Sequence, residues 1–301
     1  AAYTVRRQND TTTATPALED APHPGWRECL MWVGLAATAS MLLLAITRHL
    51  TQDVAPVPFL WVLPLALYLL SFILCFDAPR YYARPLFLTA LPLSLLALDR
   101  VMDGGLDVPW LVALLCGALF VCCMVCHGEL VRRKPAVRHL TLFYLMLSVG
   151  GALGGLFVGL LAPVVFRAYF ELPIALWATA LLVACALWGE VGRRAPRWGH
   201  AVLVLALLGW GGRLVVVSAD DVRGYTEVVR NFYSQTRIEE GVDEDGLGPV
   251  RSMVHGSITH GEQYLNHPKR ATAYYCERTG IGRALQSLPT DRARKLGVVG
   301  L

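Results

Sequence analysis

Seven stretches of this chain are apolar over roughly the length needed to cross a lipid bilayer, and that limits the fold before anything else does. A spanning helix needs about 20 apolar residues, because the hydrocarbon is about 30 Å thick and a helix rises about 1.5 Å per residue. Six runs meet this plainly: 29–47, 58–76, 108–126, 140–166, 172–189 and 200–217. A seventh, YARPLFLTALPLSLLAL at 82–98, is shorter and carries two prolines. Within hydrocarbon the backbone must satisfy its own polar groups, so each run is predicted to be a helix. The expected fold class is a mainly α polytopic membrane protein of about seven transmembrane helices, spanning 27–218. A composition 55% hydrophobic and only 17% charged agrees, as does a mean hydropathy of +0.46.

Lysine and arginine in the short loops set the orientation. One side collects Arg6, Arg7, Arg27, Arg80, Arg84, Arg132, Arg133, Lys134, Arg138, Arg193, Arg194 and Arg197; the other has Arg48, Arg100 and Arg167. Twelve against three places the first group, and the N-terminus, in the cytoplasm. With seven spans, everything after about residue 218 is then outside. Arg213 falls within the seventh run, where a charge is costly without a partner. Residues 1–26, with TTTATPALEDAPHP, read as a flexible cytoplasmic tail. The net charge of +4 is loop arginine and does not suggest nucleic-acid binding.

Cys123-Met-Val-Cys126-His127 has the C-x-x-C-H spacing of covalent haem attachment. It sits at the cytoplasmic end of the fourth run, in what must become helix, whereas haem is attached to unfolded chain on the opposite side. No covalent haem is expected, and without a second cysteine pair no zinc site either. Seven of eight cysteines lie in apolar runs, where a free thiol packs as a small hydrophobe; no disulfide framework is read.

The fifth run, SVGGALGGLFVG, spaces Gly151, Gly155 and Gly159 four apart, and Gly150 and Gly154 likewise. Such stripes let a second helix backbone come close. Asp53, Asp99, Asp103, Asp107 and Glu129 fall at helix ends or in loops. No acid is read as buried mid-span, which argues against a proton-coupled transporter.

From Ala219 the chain turns polar. YTEVVRNFYSQTRI (225–238) alternates like a strand, GVDEDGLGP is a turn, and VRSMVHGSITHG continues as a second strand. Together they predict a β-hairpin over 225–260. Residues after Tyr275 read as helix, weakened by Gly280 and Gly282. DRARKLGVVGL predicts a buried strand opening a Rossmann-type unit, whose glycine-rich turn would come next. His255 and His260, an odd number apart on one strand, should face opposite ways, so with His267 they are expected to be surface histidines rather than a metal site.

TQDVAPVPFLWVLPLALYLLSFILCF, HGELVRRKPAVRHLTLFYLMLSVGGALGG, RNFYSQTRI, VHGSITHGEQ and ATAYYCERTGIGRAL, in this order, resemble the bacterial membrane-fused spermidine-synthase-like proteins. These join a transporter-like membrane region to a spermidine synthase domain. The resemblance covers roughly 30–301. It implies a bacterial cytoplasmic membrane and a small β domain at 219–301 leading into a truncated Rossmann-type unit. It also implies an S-adenosyl-type cofactor where a complete Rossmann half exists. Tyr275-Cys-Glu277 resembles the family's Tyr-x-Glu. The family's aspartate-glycine pair is here His255-Gly256, its glutamine is Thr259, and Gln263 is nearby but shifted. The cofactor loop and catalytic aspartate would lie beyond Leu301. No catalytic residue and no complete cofactor site are therefore expected in these residues. The absent initiator Met and the ending KLGVVGL lead us to expect a longer polypeptide.

Three functions follow. The first is a non-catalytic integral membrane subunit, packed in the bilayer against other subunits of a larger complex, respiratory or photosynthetic. The second is a membrane-anchored aminopropyl- or methyltransferase-like enzyme whose catalytic half lies past residue 301. The third is a transporter.

Overall fold

The computed structural model describes residues 23–53, 58–102, 105–191, 197–231, 234–242, 248–256, 258–272 and 275–288. The tail at 1–22, the acidic turn at 243–247 and the strand expected at 296–299, with the Rossmann-type unit it would open, lie outside the described residues.

Among the described residues, seven helical spans are long and apolar enough to cross a membrane. They are α1 (Trp26–Asp53), α2 (Pro58–Asp77), α3 (Arg84–Met102), α4 (Val108–Arg132), α5 with α6 (Leu140–Leu156, Ala162–Val165), α7 (Glu171–Val191) and α8 (Arg197–Arg223). The chain is a multi-pass membrane protein. The helices run past the apolar runs because their polar ends add turns outside the hydrocarbon. The 82–98 segment becomes α3, with Pro85 in its first turn, where its missing N–H costs nothing, and Pro92 inside. A π-helical turn at Phe157–Leu161 joins α5 to α6. Pro163 follows; it has no N–H for the Gly159 carbonyl, and the wider turn takes up the mismatch.

Helix α1 is the hub, packing against α2, α4, α5 and α7. Trp32, Leu35, Ala39, Leu42, Ile46 and Leu50, at three- and four-residue steps, are all buried. The glycine stripes divide by function. A side chain at Gly150 would meet Val33 and the Ala36 Cβ, the latter at 2.9 Å; one at Gly154 would meet the Ala37 backbone. Thus Gly150 and Gly154 seat α5 on α1. Gly151 and Gly159 have nothing within 4 Å of such an added carbon, and Gly155 only reaches Leu44 and Ser40 at 4.0 Å.

The polar region forms a four-stranded antiparallel meander, β1 (Glu227–Arg230), β2 (Gln235–Val242), β3 (Pro249–His255) and β4 (Ile258–Tyr264), in the order β1-β2-β3-β4. The expected single hairpin is therefore two strands short. Each stretch read as one strand is itself a hairpin. Asn231 bonds Ser234 through backbone and side chain (both 2.9 Å) to close the first, and Gly256, at φ 61°, turns the second. Helix α9 (Gly280–Ser287) starts later than expected, capped by Thr279, whose hydroxyl accepts from the Gly282 N–H at 3.3 Å.

Gly150→Val should force α5 off α1 and lower stability by about 1–3 kcal/mol or more. Gly151→Val, facing open space, should leave it unchanged or slightly raise it. Thermal unfolding of the two variants in the same detergent checks the contrast.

Candidate functional site

The first hairpin drives one corner of the sheet into the helix ends. Arg230 closes β1 and pairs in register with Gln235, which opens β2. Directly paired residues share a face, so Val228, Arg230, Gln235 and Arg237 all point toward the bundle. Arg230 (1% side-chain exposure) reaches Glu171, the first residue of α7, itself 2% exposed. Its Nη2 donates to Glu171 Oε1, and its Nη1 to Oε2 at 3.3 Å and to the Ala168 carbonyl. Arg48, near the end of α1, donates to the same Oε1 at 3.0 Å. Both guanidinium groups lie against the Tyr169 ring, 4.8 Å (Arg48) and 4.6 Å (Arg230) from its centre. One carboxylate thus ties α1, α7 and the sheet together.

A cavity of about 530 Å³ lies between this corner and the ends of α1, α3, α4, α7 and α8. Arg48, Glu171, Gln235 and Arg237 contribute its polar wall, and Val101, Leu111 and Val217 its apolar one. Arg237 is held by Tyr225, donating to its hydroxyl at 3.0 Å. Gln235 is 2% exposed, yet neither atom of its amide has a hydrogen-bond partner among the described residues. The cavity joins net positive charge, an unsatisfied amide and hydrocarbon within one space.

Two further acids are buried, both in the last turn of a helix, at the helix ends where the sequence placed them. Asp99, in the last turn of α3, is 3% exposed and pairs with Arg213 of α8 (Nε 3.0 Å, Nη2 2.9 Å). This is the partner that the charge within the seventh span requires. Glu129, in the last turn of α4 and 1% exposed, accepts from Arg84 Nε at 2.7 Å and from the Tyr82 hydroxyl at 3.1 Å. Burial, reinforced by the Glu129 carboxylate, holds the Tyr82 phenol above its usual range, so it stays a donor.

Cys123, Cys126 and His127 are buried in α4. His127 Nδ1 lies 3.0 Å from the Ser71 hydroxyl, with Tyr68 and Phe72 edge-on to the imidazole. Among the described residues no three His, Cys, Asp or Glu are grouped to hold a metal ion. His255 and His260 do not face apart: they sit on neighbouring strands with rings stacked 5.5 Å between centres, because Gly256 turns the chain between them. Tyr275 and Glu277 are exposed in the turn before α9, and Gln263 donates to the Pro268 carbonyl at 3.4 Å. No hydrogen bond or ion pair among the described residues joins Gln263 to Tyr275 or Glu277.

Glu171, Arg230 and Gln235 escaped the sequence reading. Glu171 alone left a trace, as an acid at the threshold of an apolar run. Arg230 and Gln235 acquire their position from a cross-strand pair, which single-sequence alternation does not encode.

Glu171→Gln would leave one buried guanidinium group, Arg230, and one half-buried, Arg48, facing a neutral amide. Loss of one member of a buried pair costs about 3–5 kcal/mol, so the sheet should loosen from the bundle. Hydrogen exchange across 227–264 should accelerate, whereas Arg251→Ala, which removes an exposed pair with Glu240, should change it little.

No family model matches this chain, and no curated protein or solved structure does either, so what is known of the site comes from the residues themselves.

Proposed function

We propose that the chain is a non-catalytic integral membrane subunit of a larger bacterial membrane complex, with its sheet serving as the docking surface for another subunit. The supporting observation is the sheet face turned away from the bundle. Register aligns Val229, Thr236, His255 and Ile258 in one row across it, with Ile238 and Met253 in the next. Val229, Met253 and Ile258 are 53%, 43% and 52% exposed. Gln235 and the side chain of Arg230 are buried, and both lie on the other face. A sheet of this size gains its stability by covering an apolar face with a second layer. Here the bundle reaches one corner, and the opposite face awaits a partner protein.

Helix α8 supports the same reading. Only 11% of its apolar window is buried. It is fixed by the Asp99–Arg213 pair and by Trp177, whose Nε1 donates to the Leu207 carbonyl at 3.1 Å while the ring fills the space beside Gly211. The remainder is available to a neighbouring subunit's helix. The arginine bias of the loops supports a cytoplasmic N-terminus and a periplasmic sheet.

Extracted in mild detergent from its native membrane, the protein should migrate in a particle several times the mass of a single copy. Met253→Glu with Ile258→Glu should release it as a folded monomer. A wild-type protein that is monomeric under gentle extraction would overturn the proposal. Binding of an S-adenosyl compound, measured by calorimetry, would favour the enzyme reading in its place.

A further inference from the structure

We propose that the cavity between the Arg230–Gln235 corner and the helix ends binds an anionic amphiphile whose headgroup carries a phosphodiester beside a hydroxyl. Three independent features converge on it.

The first is charge. The cavity's lining carries two guanidinium groups, Arg48 and Arg237, and one carboxylate, Glu171, which Arg48 shares with Arg230. Planar guanidinium groups match the geometry of phosphate oxygens. The second is Gln235. A buried amide without partners is costly, and in native proteins such a group usually has a water or a ligand. Its Nε2 donates and its Oε1 accepts, side by side. A ligand that serves both must offer an acceptor next to a donor, as a phosphate oxygen next to a hydroxyl does. The third is hydrocarbon. Val101, Leu111 and Val217 stand at the ends of three membrane-crossing helices and continue the cavity into the apolar zone. At about 530 Å³ the space suits a headgroup and the start of its chains.

A glycerophospholipid and glycerol 3-phosphate, a monoester, share an anionic phosphate oxygen beside a hydroxyl, and they differ in whether the hydrocarbon wall is used. The test takes the full chain, stripped of lipid in detergent. Thermal unfolding and native mass spectrometry follow its titration with phosphatidylglycerol, phosphatidylcholine and glycerol 3-phosphate. Phosphatidylglycerol should raise the unfolding temperature and remain bound. Phosphatidylcholine, which has the phosphodiester without the hydroxyl or the net charge, should do so far less. Gln235→Leu removes an unpartnered amide and should fold at least as well as wild type, yet need at least ~10-fold more phosphatidylglycerol for half-saturation. Gln235→Glu, equal in size but lacking the donor and bearing negative charge, should lose the response too. Stabilisation by glycerol 3-phosphate as strong as by the lipid would show that the hydrocarbon wall is unused and would overturn the amphiphile in favour of a soluble phosphate ligand. Equal responses to both lipids, an undiminished response in both Gln235 variants, or a wild-type protein indifferent to all three compounds would overturn the proposal.

Discussion

Glu171 is shared by two arginines from distant parts of the chain, Arg48 in the first helix and Arg230 in the first strand. Each of these charges, alone at this depth, would carry a desolvation penalty of several kcal/mol. The shared carboxylate offsets part of their charge and leaves the group net positive by one, and the Tyr169 ring lies against both guanidinium groups. The arrangement fixes the sheet's corner, and through it the register of β1 on β2, the position of Gln235 and the shape of the cavity. Asp99–Arg213 and Glu129–Arg84 repeat the device elsewhere in the bundle. In each case the carboxylate is almost completely buried and the arginine arrives from another helix or from the start of one. A bundle whose helices meet mostly through non-directional apolar contact gains its specific alignments from these three ties.

The membrane architecture was legible in the sequence because hydrocarbon imposes a length and a composition that survive any tertiary detail. All seven runs became helices, including 82–98, where two prolines had weakened the signal. The glycine stripes announced close packing, but not which stripe would be used: Gly150 and Gly154 face α1, while Gly151 and Gly159 face open space, one residue step of about 100° around the helix. The sheet was read less well for a specific reason. Alternation of apolar and polar residues persists through a tight turn, so RNFYSQ and VHGSIT each passed for continuous strand. Two hairpins were compressed into two strands, and His255 and His260 were assigned to opposite faces when they stack.

The site was the least legible part. Its polar residues come from α1, the 168–171 connection, β1 and β2, and they are brought together by one cross-strand pair and one helix start. None belongs to a motif. The conspicuous motif, C-x-x-C-H, lies buried in α4, with the Ser71 hydroxyl 3.0 Å from His127 Nδ1. A buried sequence pattern that attracts attention by its spacing need not be where the chemistry lies. Here the more informative residues were a glutamine and a glutamate with nothing unusual on either side.

The central position of α1 has a consequence for how the protein is made. Among the spans described here this helix precedes the rest, yet much of what covers it comes much later: Gly150 and Gly154 of α5, Leu182 of α7 beside Gly34, and the Arg133 carbonyl that accepts from Trp32. During translation α1 must wait in the bilayer with Trp32 and Thr38 unaccommodated by protein while more than a hundred residues are added. Arg48 waits longer still, since the carboxylate that neutralises it is residue 171. Biogenesis therefore runs opposite to the order of the chain. Helix α1 completes its surroundings only once later spans arrive, and a nascent chain interrupted before α7 leaves Arg48 without the Glu171 carboxylate.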